Sequence, residues 1–154
     1  MSLRRSLSKL GYGFSIWLVP DCIPKVIEKL VKTYNVKPHI PHITVETNLW
    51  TLESAKDLMG KLKGTSQVYV NLSSPVNFPK MYKWDPIPKA WGFPVELLNF
   101  PYKDFEYHMT IGYGHYLPKE LNLTEKVVMK CSLYLFDTRS DYPWEWYPVC
   151  GRDN

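Results

Sequence analysis

Two short stretches of this sequence carry the residue types that could do chemistry: Pro41-His42-Ile43-Thr44-Val45 and Tyr107-His108-Met109-Thr110-Ile111. In each, a histidine and a threonine stand two positions apart with an apolar residue between them. Side chains of a β-strand alternate between its faces, so the imidazole and the hydroxyl share one face while the apolar residue turns to the other. Two such strands side by side would deliver two imidazoles and two hydroxyls to one cleft. That set suits metal-free cleavage of a phosphodiester: one imidazole takes a proton from the nucleophile and the other gives one to the leaving oxygen. A single H-x-T is more often structural, and it is the repetition of the pattern in opposite halves of the chain that points to catalysis.

The other two histidines serve as controls. His39 is an odd number of residues from His42, and His115 an odd number from His108, so on regular strands each faces away from its motif neighbour. Neither is followed by Thr or Ser two positions on. They read as structural or solvent-facing residues. Cys22, Cys131 and Cys150 form no CxxC pair, and no HxxxH or carboxylate triad joins the histidines, so metal is the weaker reading and no cofactor is called for. An odd number of cysteines favours ordinary thiols in a reducing compartment.

The elements that must position the motifs follow from periodicity. Gly13 to Val19 reads as a buried strand stopped by Pro20-Asp21. Pro24 opens a helix in which Val26, Ile27, Leu30, Val31 and Tyr34 recur at helical spacing. His39 to Glu46 is the first motif strand, and Thr51 caps a second helix striped by Leu52, Ala55, Leu58, Met59 and Leu62. From Gln67 the period falls to two, and the remainder reads as strands near 76–84, 91–98, 105–113, 126–136 and 145–150. Helices in one half and strands in both predict an α+β fold with antiparallel sheets.

At 154 residues the chain is read as one domain spanning 1–154. Its 45% hydrophobic and 22% charged content is close to ordinary soluble usage and indicates neither disorder nor a membrane span, and the run from Phe14 to Val19 is too short to cross a bilayer. A formal charge of +4 suits an anionic small molecule and is too small for a dedicated duplex-DNA binder. No targeting segment is read, so the expected location is the cytoplasm, or the host cytosol for a viral protein. Eleven tyrosines and six tryptophans exceed what a core of this size easily buries, leaving rings for a binding surface.

The paired H-x-T motifs, the chain length and the first strand Ser15-Ile16-Trp17-Leu18-Val19-Pro20 resemble the 2H phosphoesterase superfamily. Residues 13 to 62 are similar in order to its cyclic phosphodiesterase branch: a first strand ended by proline, a helix, a Pro-His-x-Thr-Val strand and a capped helix. The aromatic-rich second half, with Trp144-Glu145-Trp146, looks more like the phage anti-CBASS branch, whose enzymes degrade cyclic oligonucleotide messengers. The resemblance implies a two-lobed, LigT-like fold of weakly duplicated halves, with antiparallel sheets around a central cleft and helices on the outside. It also implies metal-independent catalysis, with His42 and His108 as the acid–base pair and Thr44 and Thr110 holding the phosphate oxygens. Pro94 and Pro101 lie where many relatives have a helix before the second motif, so that helix should be shortened or lost.

These features lead to a cyclic-nucleotide phosphodiesterase that cleaves 3′–5′ bonds of cyclic di- or oligonucleotides and so antagonises nucleotide-based antiphage immunity. The ribose 2′-hydroxyl is the tethered nucleophile. Tyr12, Trp144 and Trp146 are the candidate rings for stacking a base, with Tyr147 beside them. Lys80, Lys83 and Lys89 could cover the cleft, though such charges usually only face solvent. Two alternatives stand: a 2H enzyme of RNA metabolism acting on 2′,3′-cyclic phosphates or 2′–5′ linkages, and a non-catalytic nucleotide-binding module.

Overall fold

The computed structural model describes residues 13–34, 40–62, 65–71, 76–78, 90–98, 107–113, 126–140 and 145–151. Their order is β1 (Phe14–Pro20), α1 (Lys25–Tyr34), β2 (His42–Leu49), α2 (Leu52–Lys61), β3 (Thr65–Asn71), β4 (Val76–Phe78), β5 (Ala90–Leu98), β6 (His108–Tyr113), β7 (Lys126–Asp137) and β8 (Tyr147–Gly151). Both helices begin as the sequence predicts. The Pro24 carbonyl accepts the first α1 bond, from Glu28 N at 3.0 Å. Thr51 stays extended (φ −122°, ψ 143°) while its Oγ1 accepts from Ser54 N at 3.2 Å, an N-cap whose loss typically costs ~1 kcal/mol. Ile27 and Leu30 of α1 and Ala55 and Met59 of α2 are buried in the same core as the strands.

Strand alternation builds that core from one face of the sheet. Phe14, Ile16 and Leu18 of β1, Ile43 and Val45 of β2, Met109 and Ile111 of β6, Trp91 and Phe93 of β5, Val68 and Val70 of β3, and Met129 to Leu135 at every second residue of β7 all join it. Each is at least 93% buried, the extent expected of a close-packed interior.

The expected α+β fold of two lobes with helices outside is not what forms; the described chain is mostly sheet. The strands pair in the order β1-β2-β6-β5-β3-β7, and β7 returns to β1, closing a six-stranded antiparallel barrel with only two short helices among the described residues. The cause is the length of β7. Its twelve residues, about 40 Å when extended, are long enough to serve both halves of the chain. Lys126 to Ser132 pair with β3, and Cys131 to Asp137 pair with β1. Two separate sheets would each keep a pair of open edges, and this shared strand removes them. β4 and β8 add short pairings to β5 and β7. No described helix is long and apolar enough to cross a membrane.

Candidate active site

β2 and β6 lie side by side and antiparallel, with His42 opposite Thr110 and Ile43 opposite Met109. Alternation along each strand then brings Thr44 to the same face as His42, and His108 to the same face as Thr110. Residues directly opposite share a face, which puts both imidazoles and both hydroxyls on one side and Ile43, Val45, Met109 and Ile111 on the core side. The two histidines then stand on a diagonal of the ladder, where neighbouring residues are about 7–8 Å apart and their β-carbons somewhat closer. A gap of that size admits a phosphate between two imidazoles. His42 and Thr110 form the buried end, at 2% and 6% exposure, and Thr44 and His108 the half-buried end.

The surroundings of the two imidazoles differ. His42 Nδ1 lies 2.9 Å from the Ile40 carbonyl oxygen. A carbonyl can only accept, so Nδ1 carries a proton and Nε2 is the atom that exchanges one. The ring is stacked on the indole of Trp17 at 3.5 Å between centroids, with planes 12° apart. Trp17 pairs with Thr44 across β1 and β2, and its indole also stacks on Phe136 at 4.2 Å. Burial acts on His108 by penalising its charged form, which holds its pKa below the ordinary 6.5.

No protein family, curated protein or solved structure matches this chain. Its chemistry is therefore read from the geometry. Among the described residues, no group of three or more His, Cys, Asp or Glu could hold a metal ion.

The aromatic residues are distributed differently from the sequence expectation. Tyr12 and Trp144 lie outside the described residues, as do His39, His115, Lys80, Lys83 and Lys89. Trp146 sits one ring behind the histidine: its edge meets Trp17 at 5.7 Å, and its Nε1 donates to the Ser140 carbonyl at 2.7 Å. A carboxylate clamp fixes that position. Asp137 accepts from Arg139 Nη2 at 2.7 Å and from Tyr147 Oη at 2.9 Å, tying β8 to β7 beside Trp146. The hydrogen bonds from Arg139 are the main cause of an Asp137 carboxyl held below its usual range. Of the three cysteines, Cys131 is wholly buried, and burial pushes its thiol up to about 12.

Two residues of the site were missed in the sequence. Trp17 reads there only as part of a buried strand, yet it shares a face with Ser15 rather than with Phe14, Ile16 and Leu18. A tryptophan out of phase with an apolar stripe was the available signal. Gly92 pairs with Thr110 at a register shift in the β5–β6 ladder. A β-carbon there would collide with the backbone carbonyl of Met109, between the two motif residues of β6. An isolated glycine inside a strand pattern is the sign of such close approach.

Proposed function

We propose that this protein is a two-histidine phosphodiesterase that opens 3′–5′ bonds in cyclic di- or oligonucleotides. The observation that carries this reading is the antiparallel register that sets His42 opposite Thr110 and so puts both H-x-T motifs on one face of neighbouring strands. His108, kept neutral by burial, is the base for the ribose 2′-hydroxyl. The 2′-oxygen attacks phosphorus, the bond to the 5′-oxygen breaks, and His42 Nε2 protonates that oxygen as it leaves. The products are a 2′,3′-cyclic phosphate and a free 5′-hydroxyl. The Ile40 carbonyl holds a proton on His42 Nδ1 and so leaves Nε2 as the nitrogen that passes a proton to the leaving oxygen, which supports the choice of His42 as the acid. Thr44 and Thr110 hydroxyls donate to the non-bridging oxygens, where charge accumulates.

Resemblance to the anti-CBASS branch of the 2H superfamily supports cyclic messengers as substrates, and with them a cytosolic role in blunting nucleotide-based antiphage immunity. The test is incubation with cyclic dinucleotides, cyclic trinucleotides and nucleoside 2′,3′-cyclic phosphates in EDTA, with products read by mass. His42→Gln and His108→Gln should each slow cleavage by ~10²-fold or more, the worth of one positioned proton carrier. Glutamine keeps a hydrogen-bonding side chain at the buried His42 position, where alanine would leave a cavity. Near-normal turnover by either variant ends the proposal, and faster wild-type turnover of the mononucleotides would favour the RNA-metabolism reading.

A further inference from the structure

A cavity of about 330 Å³ opens beside the motif face, lined by Tyr69, Pro94, Val95, Glu96 and Lys126. Its place relative to the histidines follows from strand register. Pro94, one of its walls, is the cross-strand partner of His108, and Tyr69 is the partner of Glu96 on the neighbouring ladder. Directly paired residues share a face, and so do residues two apart on one strand. Hence Tyr69, Glu96 and Pro94 stand on the same face of the sheet as both H-x-T motifs. Glu96 is about 7 Å along β5 from Pro94, and Pro94 is about 5 Å across from His108. The cavity therefore begins within one nucleoside's reach of the half-buried end of the motif quartet.

Its lining has the chemistry of a base pocket. Tyr69 is 37% exposed and offers a ring for stacking. The Glu96 carboxylate accepts hydrogen bonds and donates none when ionised, and Lys126 adds a cation for the adjoining phosphate. From this we infer that the cavity is a nucleobase subsite of the proposed phosphodiesterase, selective for a base that carries an exocyclic amine. Adenine, cytosine and guanine each present an amino N–H to the carboxylate. Uracil presents one imino N–H flanked by two carbonyl oxygens, which repel it. The inference rests on the proposed reading of the motifs, since only a phosphate held between the histidines makes this cavity part of the same ligand.

Equilibrium binding of nucleoside 5′-monophosphates tests the subsite without any turnover. The wild-type protein should bind the adenosine, guanosine and cytidine monophosphates more tightly than the uridine one. Tyr69→Ala should weaken binding of all of them by about fivefold or more, the lower end of what one base stack contributes. Glu96→Gln should leave the overall affinity closer to wild type but bring the ratio of amino-bearing to uridine affinities toward one. Both side chains are exposed, so neither change should disturb folding, and a thermal melt of each variant checks this. Equal binding of all four nucleotides by the wild type, or variants that alter neither affinity nor preference, would overturn the inference. Selective binding without cleavage of any diester would uphold the subsite and sink the catalytic reading, so the two can fail separately.

Discussion

Trp17 lies flat on His42, ring over ring at 3.5 Å, and reaches it along the strand from a position opposite Thr44. Under the proposed mechanism this relationship sets an indole face against the ring that would act as the acid. A flat stack holds the imidazole in one orientation, and a small loss of positioning in a proton carrier is felt directly in the rate. Trp17→Leu should therefore slow cleavage by about tenfold or more. Trp17→Phe keeps a flat ring and should slow it less. Unchanged turnover by a folded Trp17→Leu protein would reduce the stack to packing.

Gly92 governs the other histidine through the backbone. It pairs with Thr110, and the space a β-carbon would need is filled by the Met109 carbonyl. Gly92→Ala must push β6 away from β5, and β6 carries both His108 and Thr110. Misplacement of a catalytic group by ~1 Å can cost 10²-fold in rate. The expected outcome is a folded protein with cleavage reduced by about that factor, and with weaker protection of β6 amides from hydrogen exchange. Unchanged kinetics would show that the strand absorbs the displacement elsewhere.

Local pattern carried most of the elements into view, while closure of the sheet stayed hidden. Thr51 as a cap, the stripes of α1 and α2, and the period-two run through Val68 and Val70 are set by residues within one or two turns of each other. The H-x-T face is of this kind too, because alternation alone puts His42 with Thr44 and His108 with Thr110. Nothing local states that Cys131 to Asp137 pair with β1 while Lys126 to Ser132 pair with β3. That is a fact about partners more than 40 residues apart, and it turns the expected two lobes into a barrel. The stack of Trp17 on His42 and the pairing of Tyr69 with Glu96 are likewise products of register, which a chain read in one dimension does not display.

The last prediction concerns His108, whose burial gives it two separate pH signatures. In catalysis it must be neutral to accept a proton, and burial holds its pKa below 6.5, so the acid limb of the pH–rate profile should fall below that value. In the proposed mechanism the acid must carry a proton, so activity should fall again at high pH and the profile should be a bell. In folding, the unfolded chain has an ordinary imidazole and binds a proton at higher pH than the folded one. Stability contributed by the neutral ring is therefore present above about 6.5 and declines as pH falls from there toward the lower folded value, below which the slope from this group vanishes. Denaturant unfolding of wild type and His108→Gln at pH 7.5 and 5 isolates the effect, because every other titrating group is shared. The wild type should lose more stability than the variant between the two pH values. Equal losses would mean that His108 titrates alike in both states, and would remove the ground for naming it the base.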